Sequence, residues 1–231
     1  MTKLYIVGAG PGAPDLLTLR AVKYIALADY ILYDYLVDKS TLQYARPDAE
    51  LVPLKRPHTK QSEINSQMIE AARSGKTVVR LKGGDPHIFG RLNEETQALR
   101  DAGIEYEVVP GVTSATAAAQ AANISLTDRR SASAVALITG HLSHEHDPTL
   151  PALDFAKFAT FPGTLVFYMG VVTVELWSKE LINNGKSKNT NVKIIQNATQ
   201  ANERVIQTTL SQASEIVEQE NLQSPCIVIV E

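Results

Sequence analysis

The stretch Val79–Pro86 reads VRLKGGDP and joins an apolar strand pattern to a turn of two glycines, a carboxylate and a proline. Similar turns of small residues follow three other β-rich runs: GAGPG from Gly8, VVPGVTS from Val108 and FYMG from Phe167. In open α/β sheets, ligands bind beyond the carboxyl ends of the strands, and glycine there lets a bound molecule approach the backbone. The recurrence of these turns predicts an α/β protein with a ligand cleft.

Strand and helix patterns alternate through the first half of the chain. The strand LYIVG from Leu4 precedes a helix with apolar residues at helical spacing, and YILY from Tyr30 follows it. We expect a second helix to have Ser62 as its N-cap and to end at Ser74 and Gly75, before the strand TVVRL. A third helix is predicted over 93–102, before EYEVV.

The second half is richer in strands. An alanine-rich helix around 116–122 precedes the runs AVALIT, TLVFY, NVKII, RVIQTTL and CIVIV, with a further helix through Leu176 and Leu181. Because the alternation changes character near Val112, we predict two α/β domains, 1–112 and 113–231.

Composition excludes several classes of protein. The 231 residues are 44% hydrophobic, enough for one large or two small domains with their own cores, and the net charge of −3 favours neither nucleic acid nor an anionic membrane as a partner. No apolar stretch approaches the ~20 residues of a membrane span, and we expect a cytoplasmic protein. The lone Cys226 lies in the apolar run CIVIV and is expected to be a buried, inert thiol.

The first turn, GAGPGA, allows two interpretations. Gly8, Gly10 and Ala13 loosely match the dinucleotide pattern, and Asp34 after the next strand stands near the position of a ribose-binding carboxylate, which would indicate a nicotinamide-dependent dehydrogenase. Against this, Pro11 removes a backbone donor that a diphosphate would need, and Asp15 adds negative charge. A plain strand-to-helix connection is the other possibility.

The later turns also have structural alternatives. In KGGDP, backbone groups and the Asp85 carboxylate can surround an adenosine or amino-acid moiety, but Asp85 can equally cap the next helix. Taken alone, Met169 in FYMG is explained by core packing.

Taken in order, GAGPG, YDYLV, the Lys55-Arg56 pair, VVRLKGGDPHIFGR, EVVPGVTSA, TLVFYMG and QNAT resemble the tetrapyrrole methylases, over Leu4 to Val230. The resemblance implies two α/β domains with S-adenosylmethionine in the cleft between them, usually in a homodimer. It also implies methyl transfer to C2 and C7 of uroporphyrinogen III, with precorrin-2 and S-adenosylhomocysteine as products, in sirohaem and cobalamin biosynthesis.

The resemblance also assigns residues. Asp34 is implied as proton acceptor and Lys55 as proton donor, although both fit equally well with binding or positioning the substrate. The implied cofactor contacts are Pro11, Gly83, Gly84, Asp85, Ile88, Thr113, Ser114, Met169 and Ala198.

The substrate so implied carries eight carboxylates, and the basic residues expected to meet them are Lys55, Arg56, Arg80, Lys82, Arg91, Arg129 and Arg130. Departures from the family pattern at Tyr35, Leu92-Asn93 and Asp128 keep a methylase of a later corrin precursor open as an alternative. The histidines of HLSHEH (141–146) lack supporting ligands, so we expect a solvated loop and no metal site.

Overall fold

The computed structural model describes residues 4–54, 59–140 and 153–231. The chain divides into two compact units, Met1–Ser114 and Ala115–Glu231. Each unit contains a five-stranded sheet with helices beside it, which confirms the α/β class. The assignment of 1–112 and 113–231 as domains stays a prediction.

The first unit is built on a parallel sheet with the strand order β3-β2-β4-β1-β5. Its strands are β1 (Leu4–Gly8), β2 (Tyr30–Tyr33), β3 (Glu50–Pro53), β4 (Val78–Lys82) and β5 (Tyr106–Val109), and its helices are α1 (Leu19–Leu27), α2 (Gln61–Arg73) and α3 (Leu92–Asp101). Short 3₁₀ helices at Pro14–Leu16 and Lys39–Tyr44 were not expected from the sequence.

Burial on both faces explains why the inner strands are apolar runs. One face of β1 and β4 packs against α1, where Ala21 and Ile25 are fully buried. The other face packs against α2 and α3 through Ile64, Met68 and Leu99. Alternate residues of β4 point to this second face, and they are Val78, Arg80 and Lys82. Two basic side chains therefore lie in a buried layer.

The helix ends agree with the sequence in part. The Oγ1 of Thr18 accepts from Ala21 N at 3.1 Å and caps α1. The prediction that Ser62 caps α2 was wrong, since the helix begins at Gln61 after Lys60 and Ser62 lies exposed within its first turn. Its predicted end is confirmed: Ser74 is the C-cap, and Gly75 has a φ of +87°, which a residue without a Cβ adopts at little cost.

The second unit has a mixed sheet of order β6-β7-β10-β8-β9. Its elements are α4 (Ser114–Ala121), β6 (Val135–Thr139), α5 (Phe155–Ala159), β7 (Thr164–Tyr168), α6 (Val174–Asn183), β8 (Asn191–Gln196), β9 (Arg204–Thr209), α7 (Ala213–Gln219) and β10 (Cys226–Val230). Only β6 and β7 pair in parallel. Because β7 and β8 both run antiparallel to β10 between them, their carboxyl ends lie at the same edge of the sheet.

A hydrophobic core on one face of this sheet joins it to α5, α6 and α7. Trp177 of α6 is 1% exposed, and its ring stacks on Phe167 of β7 with centroids 4.5 Å apart. Within the described ranges, no helix is both long enough and apolar enough to span a membrane.

Candidate functional site

The turns after β1, β4 and β5 meet at the carboxyl edge of the first sheet. Gly10 and Gly84 exchange backbone hydrogen bonds, with Gly84 N donating to Gly10 O at 2.7 Å and Gly10 N to Gly84 O at 3.2 Å. Parallel strands place all their carboxyl ends at one edge, so the segments GAGPG, KGGDP and PGVTS form one surface, as the sequence predicts.

Glycine is required where these turns cross. A Cβ on Gly111 would lie 2.3 Å from Gly84 O, and a Cβ on Gly8 would lie 2.7 Å from both Gly111 Cα and Gly84 O. Both distances are far shorter than a non-bonded contact, so any side chain would force the turns apart. By contrast, a Cβ on Gly83 would meet only Leu36 Cβ, at an ordinary 3.5 Å.

Asp85 links two of the turns. Its Oδ2 accepts from Gly111 N at 2.9 Å, and its Oδ1 accepts from His87 N at 2.7 Å and lies 2.9 Å from His87 Nδ1. The alternative that Asp85 caps the next helix is wrong, because α3 begins at Leu92 after Arg91. A carboxylate offers about four lone-pair sites, and Asp85 uses Oδ2 to hold KGGDP against PGVTS and Oδ1 to bind His87 in its own turn.

The remaining predicted residues of the first unit lie on or beside these turns. Pro11 is half-buried after Gly10, and Ile88 is half-buried with its N–H donating to Asp85 O at 3.2 Å. Thr113 is half-buried, and Ser114 begins α4 with its Oγ 3.7 Å from the Cβ position of Gly84. The structure therefore brings together Pro11, Gly83, Gly84, Asp85, Ile88, Thr113 and Ser114.

Asp34 lies at the same edge, directly after β2. Its backbone N–H donates to Leu81 O at 3.1 Å, and its side chain is 27% exposed. Its Oδ1 accepts a hydrogen bond from Nη2 of Arg80, which is 2% exposed. An ionised carboxylate is the form that pairs with a guanidinium, and it is also the form that can accept a proton.

Beneath this pair lies a buried charge cluster that sequence reasoning missed. Glu95 of α3 is 0% exposed, and its Oε1 accepts from Arg80 Nε and from Lys82 Nζ, each at 2.9 Å. Burial by itself would lower the pKa of Arg80, but the carboxylates of Asp34 and Glu95 more than offset it and raise that pKa. Burial and the neighbouring guanidinium of Arg80 lower the pKa of Lys82.

A sequence signal for Glu95 does exist. Arg80 and Lys82 are two positions apart in a strand that is buried on both faces, so they point to the same face. Two buried cations there require an anion in the layer that covers them. On α3, the buried residues are Glu95, Thr96 and Leu99, and Glu95 lies one helical turn from Leu99, so it belongs to the stripe that faces the sheet.

The cluster also corrects the predicted set of substrate-facing cations. Arg80 and Lys82 were expected to meet substrate carboxylates, but both are buried and paired with carboxylates of the protein. Arg91, Arg129 and Arg130 are exposed, with Arg91 bound to Glu94 and Arg130 to Asp128.

In the second unit, Met169 and Ala198 follow β7 and β8 at the shared edge of that sheet. With one strand between β7 and β8, the two turns lie about 10 Å apart. Met169 is 45% exposed, which contradicts core packing as its role, whereas Ala198 is 9% exposed. Met169 has a φ of +56°, and Trp177 Nε1 holds the following residue by donating to Gly170 O at 2.8 Å.

Two sequence predictions lie outside the described residues: Lys55 with its neighbour Arg56, and the histidines of HLSHEH. In the ranges that are described, no three histidine, cysteine or acidic side chains are grouped as metal ligands.

Comparison with known proteins identifies the family. The model of the Tetrapyrrole (Corrin/Porphyrin) Methylases matches residues 3–214. The chain belongs to this family. A uroporphyrinogen-III C-methyltransferase of Bacillus subtilis is 44% identical over 234 residues, spanning 100% of this chain and 90% of the relative.

Solved structures agree with the sequence match. A uroporphyrin-III C-methyl transferase of Thermus thermophilus, complexed with S-adenyl homocysteine, has a TM-score of 0.85 at 37% identity, covering 99% of this chain and 96% of that one. A cobalt precorrin-4 methyltransferase has a TM-score of 0.88 at 31% identity, covering 99% and 94%. The family match and these relatives do not favour the dehydrogenase interpretation of GAGPGA.

Proposed function

We propose that the protein transfers methyl groups from S-adenosylmethionine to C2 and C7 of uroporphyrinogen III, releasing precorrin-2 and S-adenosylhomocysteine. The 44% identity to a uroporphyrinogen-III C-methyltransferase over the full chain carries this proposal. The more distant match to a cobalt precorrin-4 methyltransferase, at 31%, gives the later corrin precursor less support. Precorrin-2 is an intermediate of sirohaem and cobalamin biosynthesis, and the proposal covers both branches.

The glycine turns fit an adenosyl donor. Gly83 has no Cβ although the space beside it would accept one, and it is half-buried, so part of its backbone is open at this edge, while Gly84 beside it is buried with a φ of +65°. We propose Pro11, Gly83, Gly84, Asp85, Ile88, Thr113 and Ser114 as cofactor contacts of the first unit, and Met169 and Ala198 as contacts of the second. S-adenosylmethionine supplies an electrophilic methyl group on a sulfonium.

The chemistry left to the protein is alignment and proton removal. A pyrrole carbon attacks the methyl group, the methyl–sulfur bond breaks, and a proton must leave the macrocycle afterwards. Asp34 is the proposed acceptor, since its carboxylate is partly exposed at the edge of the sheet and is held by the guanidinium of Arg80. Lys55 is the proposed proton donor.

We also propose which residues recognise the substrate, and the oligomeric state and location of the protein. The exposed Arg91, Arg129 and Arg130 are candidates to bind the carboxylates of the tetrapyrrole, because a guanidinium can bind a carboxylate through two hydrogen bonds. We further propose a homodimer in the cytoplasm.

A comparison of cofactors tests the class of enzyme. Thermal unfolding is followed with S-adenosylmethionine, S-adenosylhomocysteine or NAD at equal concentration, because a ligand of the native state raises the apparent stability. We expect the two adenosyl compounds to raise Tm and NAD to leave it unchanged. A rise with NAD alone would overturn the proposal.

A further inference from the structure

The buried cluster under Asp34 contains an acidic residue with no assigned role. Glu95 is 0% exposed, and one oxygen, Oε1, accepts from both Arg80 and Lys82. Its other oxygen, Oε2, is buried and has no hydrogen-bond partner among the described residues. Buried ion pairs add little net stability, because the loss of hydration opposes the attraction, and an unpaired oxygen increases that cost. The two buried cations account for the negative charge of Glu95, but a net gain in stability does not account for placing the whole cluster here.

Arg80 connects Glu95 to the surface of the site. Its Nε donates to Glu95 Oε1, its Nη1 to the carbonyl oxygen of Leu81 at 3.1 Å, and its Nη2 to Asp34 Oδ1. All three nitrogens are thus engaged, and the guanidinium is planar, so fixing one side of it fixes the other. The orientation of the Asp34 carboxylate depends on where Glu95 holds Arg80.

Lys82 completes the charge balance. With Arg80 it brings two cations into the layer, against the two carboxylates of Asp34 and Glu95. Without Glu95, the buried ammonium of Lys82 would lose the carboxylate that pairs with it. Asp34 would then be the one carboxylate of the cluster left for both cations.

We propose that Glu95 is a positioning residue, which acts through Arg80 to aim the Asp34 carboxylate for proton removal while it neutralises Lys82. This inference rests on the proposed function, because it assigns Asp34 the role of proton acceptor. Glu95 itself is fully buried and is hydrogen-bonded to Arg80.

The first test separates the catalytic rate from binding. We expect Glu95→Gln to lower kcat about 10-fold to 100-fold, since a small misplacement of a reacting group costs that much. KM for the tetrapyrrole and Kd for S-adenosylmethionine should stay within about twofold, and Glu95→Asp, which keeps the charge, should retain more activity than Glu95→Gln. Glu218→Gln, an identical change at an exposed position of α7, is the matched control.

Glu95→Gln leaves an unpaired cation, so folding is checked by urea unfolding. If that variant does not fold, the double variant Glu95→Gln with Lys82→Met removes the cation as well, and its kcat takes the place of the single variant's. A folded variant that lacks Glu95 and keeps the wild-type kcat, or one that loses cofactor binding along with kcat, would overturn the proposal.

A second measurement does not depend on activity. Glu95 and Asp34 do not contact each other, so their effects on unfolding should add unless Arg80 couples them. We expect Glu95→Gln and Asp34→Asn to be non-additive in urea, and strict additivity would overturn the proposal. If the coupling is present and the wild type transfers no methyl group, the proposed function fails while the link through Arg80 stands.

Discussion

At the scale of single residues, the site depends on side chains that hold other groups in place. Asp85 uses its carboxylate on Gly111 N and on His87, and Arg80 uses its guanidinium on Asp34 and Glu95. Asp34 also pairs with Arg80, but 27% of its side chain faces solvent, which suits the role of proton acceptor proposed for it.

Replacing Asp34 tests its role directly. We expect Asp34→Asn to lower kcat about 100-fold to 10,000-fold, the usual contribution of a positioned acid or base, with cofactor affinity unchanged. Steady-state kinetics and calorimetric titration with S-adenosylhomocysteine measure the two effects. Asp101→Asn, at the exposed end of α3, is the control. Equal losses of rate and cofactor affinity in Asp34→Asn would show that this carboxylate binds the cofactor.

Cys226 is expected to be chemically inert. Burial raises the pKa of its thiol to about 12, so little thiolate forms in the native protein at pH 8.5. Alkylation by iodoacetamide should be at least about 100-fold slower in the native protein than in urea, because the thiolate is the nucleophile. Mass spectrometry of timed samples gives both rates. Similar rates in the two conditions would contradict the burial.

At the scale of elements, two glycines in neighbouring turns have different reasons to be glycine. Gly111 leaves no room for a Cβ, whereas Gly83 has ordinary space beside it. We expect Gly111→Ala to lower the free energy of unfolding by about 1–3 kcal/mol, the usual cost of overpacking. Gly83→Ala should leave stability nearly unchanged and weaken S-adenosylmethionine binding, since its new methyl group would cover the half-buried backbone at residue 83.

Urea unfolding and calorimetric titration of both glycine variants separate these effects. The two substitutions are the same chemical change, so each is the control for the other. If Gly83→Ala binds the cofactor as tightly as the wild type, the backbone at residue 83 is not a cofactor contact.

The turn after β7 depends on a hydrogen bond from α6. Trp177→Phe keeps an aromatic ring to stack on Phe167 but removes the indole N–H that binds Gly170 O. We expect a loss of about 1–3 kcal/mol in the free energy of unfolding, the cost of a buried carbonyl without its donor. Cofactor affinity should fall as Met169 loses its fixed backbone. Unchanged unfolding would show that the bond contributes nothing.

Sequence patterns predicted the elements with strong periodicity and missed the short or polar ones. The apolar runs of β1, β2, β4 and β7 required burial, and each is a strand. The sequence did not predict the five-residue α5 or the exposed edge strand β3, because elements this short contain too few residues to show a periodic pattern. Its residue type predicts Ser62 as a cap, but the helix begins without a side-chain cap.

At the scale of the whole molecule, the turns that share a pattern of small residues in the sequence also lie close together in space within each unit. The contacts that hold them could not be predicted, because they join residues far apart in the chain. Gly111 N to Asp85 Oδ2 spans 26 positions, and Arg80 to Asp34 spans 46. Lys55 lies outside the described residues, and its role stays a prediction.

Family membership also limits the chemistry at this scale. A parallel sheet with glycine turns at its carboxyl edge is compatible with many ligands, and the fold alone does not select one. The match of residues 3–214 to the family selects methyl transfer to a tetrapyrrole, and the relatives at over 40% identity favour uroporphyrinogen III.

The most direct test is to incubate the pure protein anaerobically with S-adenosylmethionine and uroporphyrinogen III and to measure the mass of the tetrapyrrole product. We expect two added methyl groups with the wild type, and almost none in the same time with Asp34→Asn. A wild-type product without added methyl groups, from protein that binds S-adenosylmethionine, would contradict the assignment of uroporphyrinogen III and leave a later corrin precursor as the substrate.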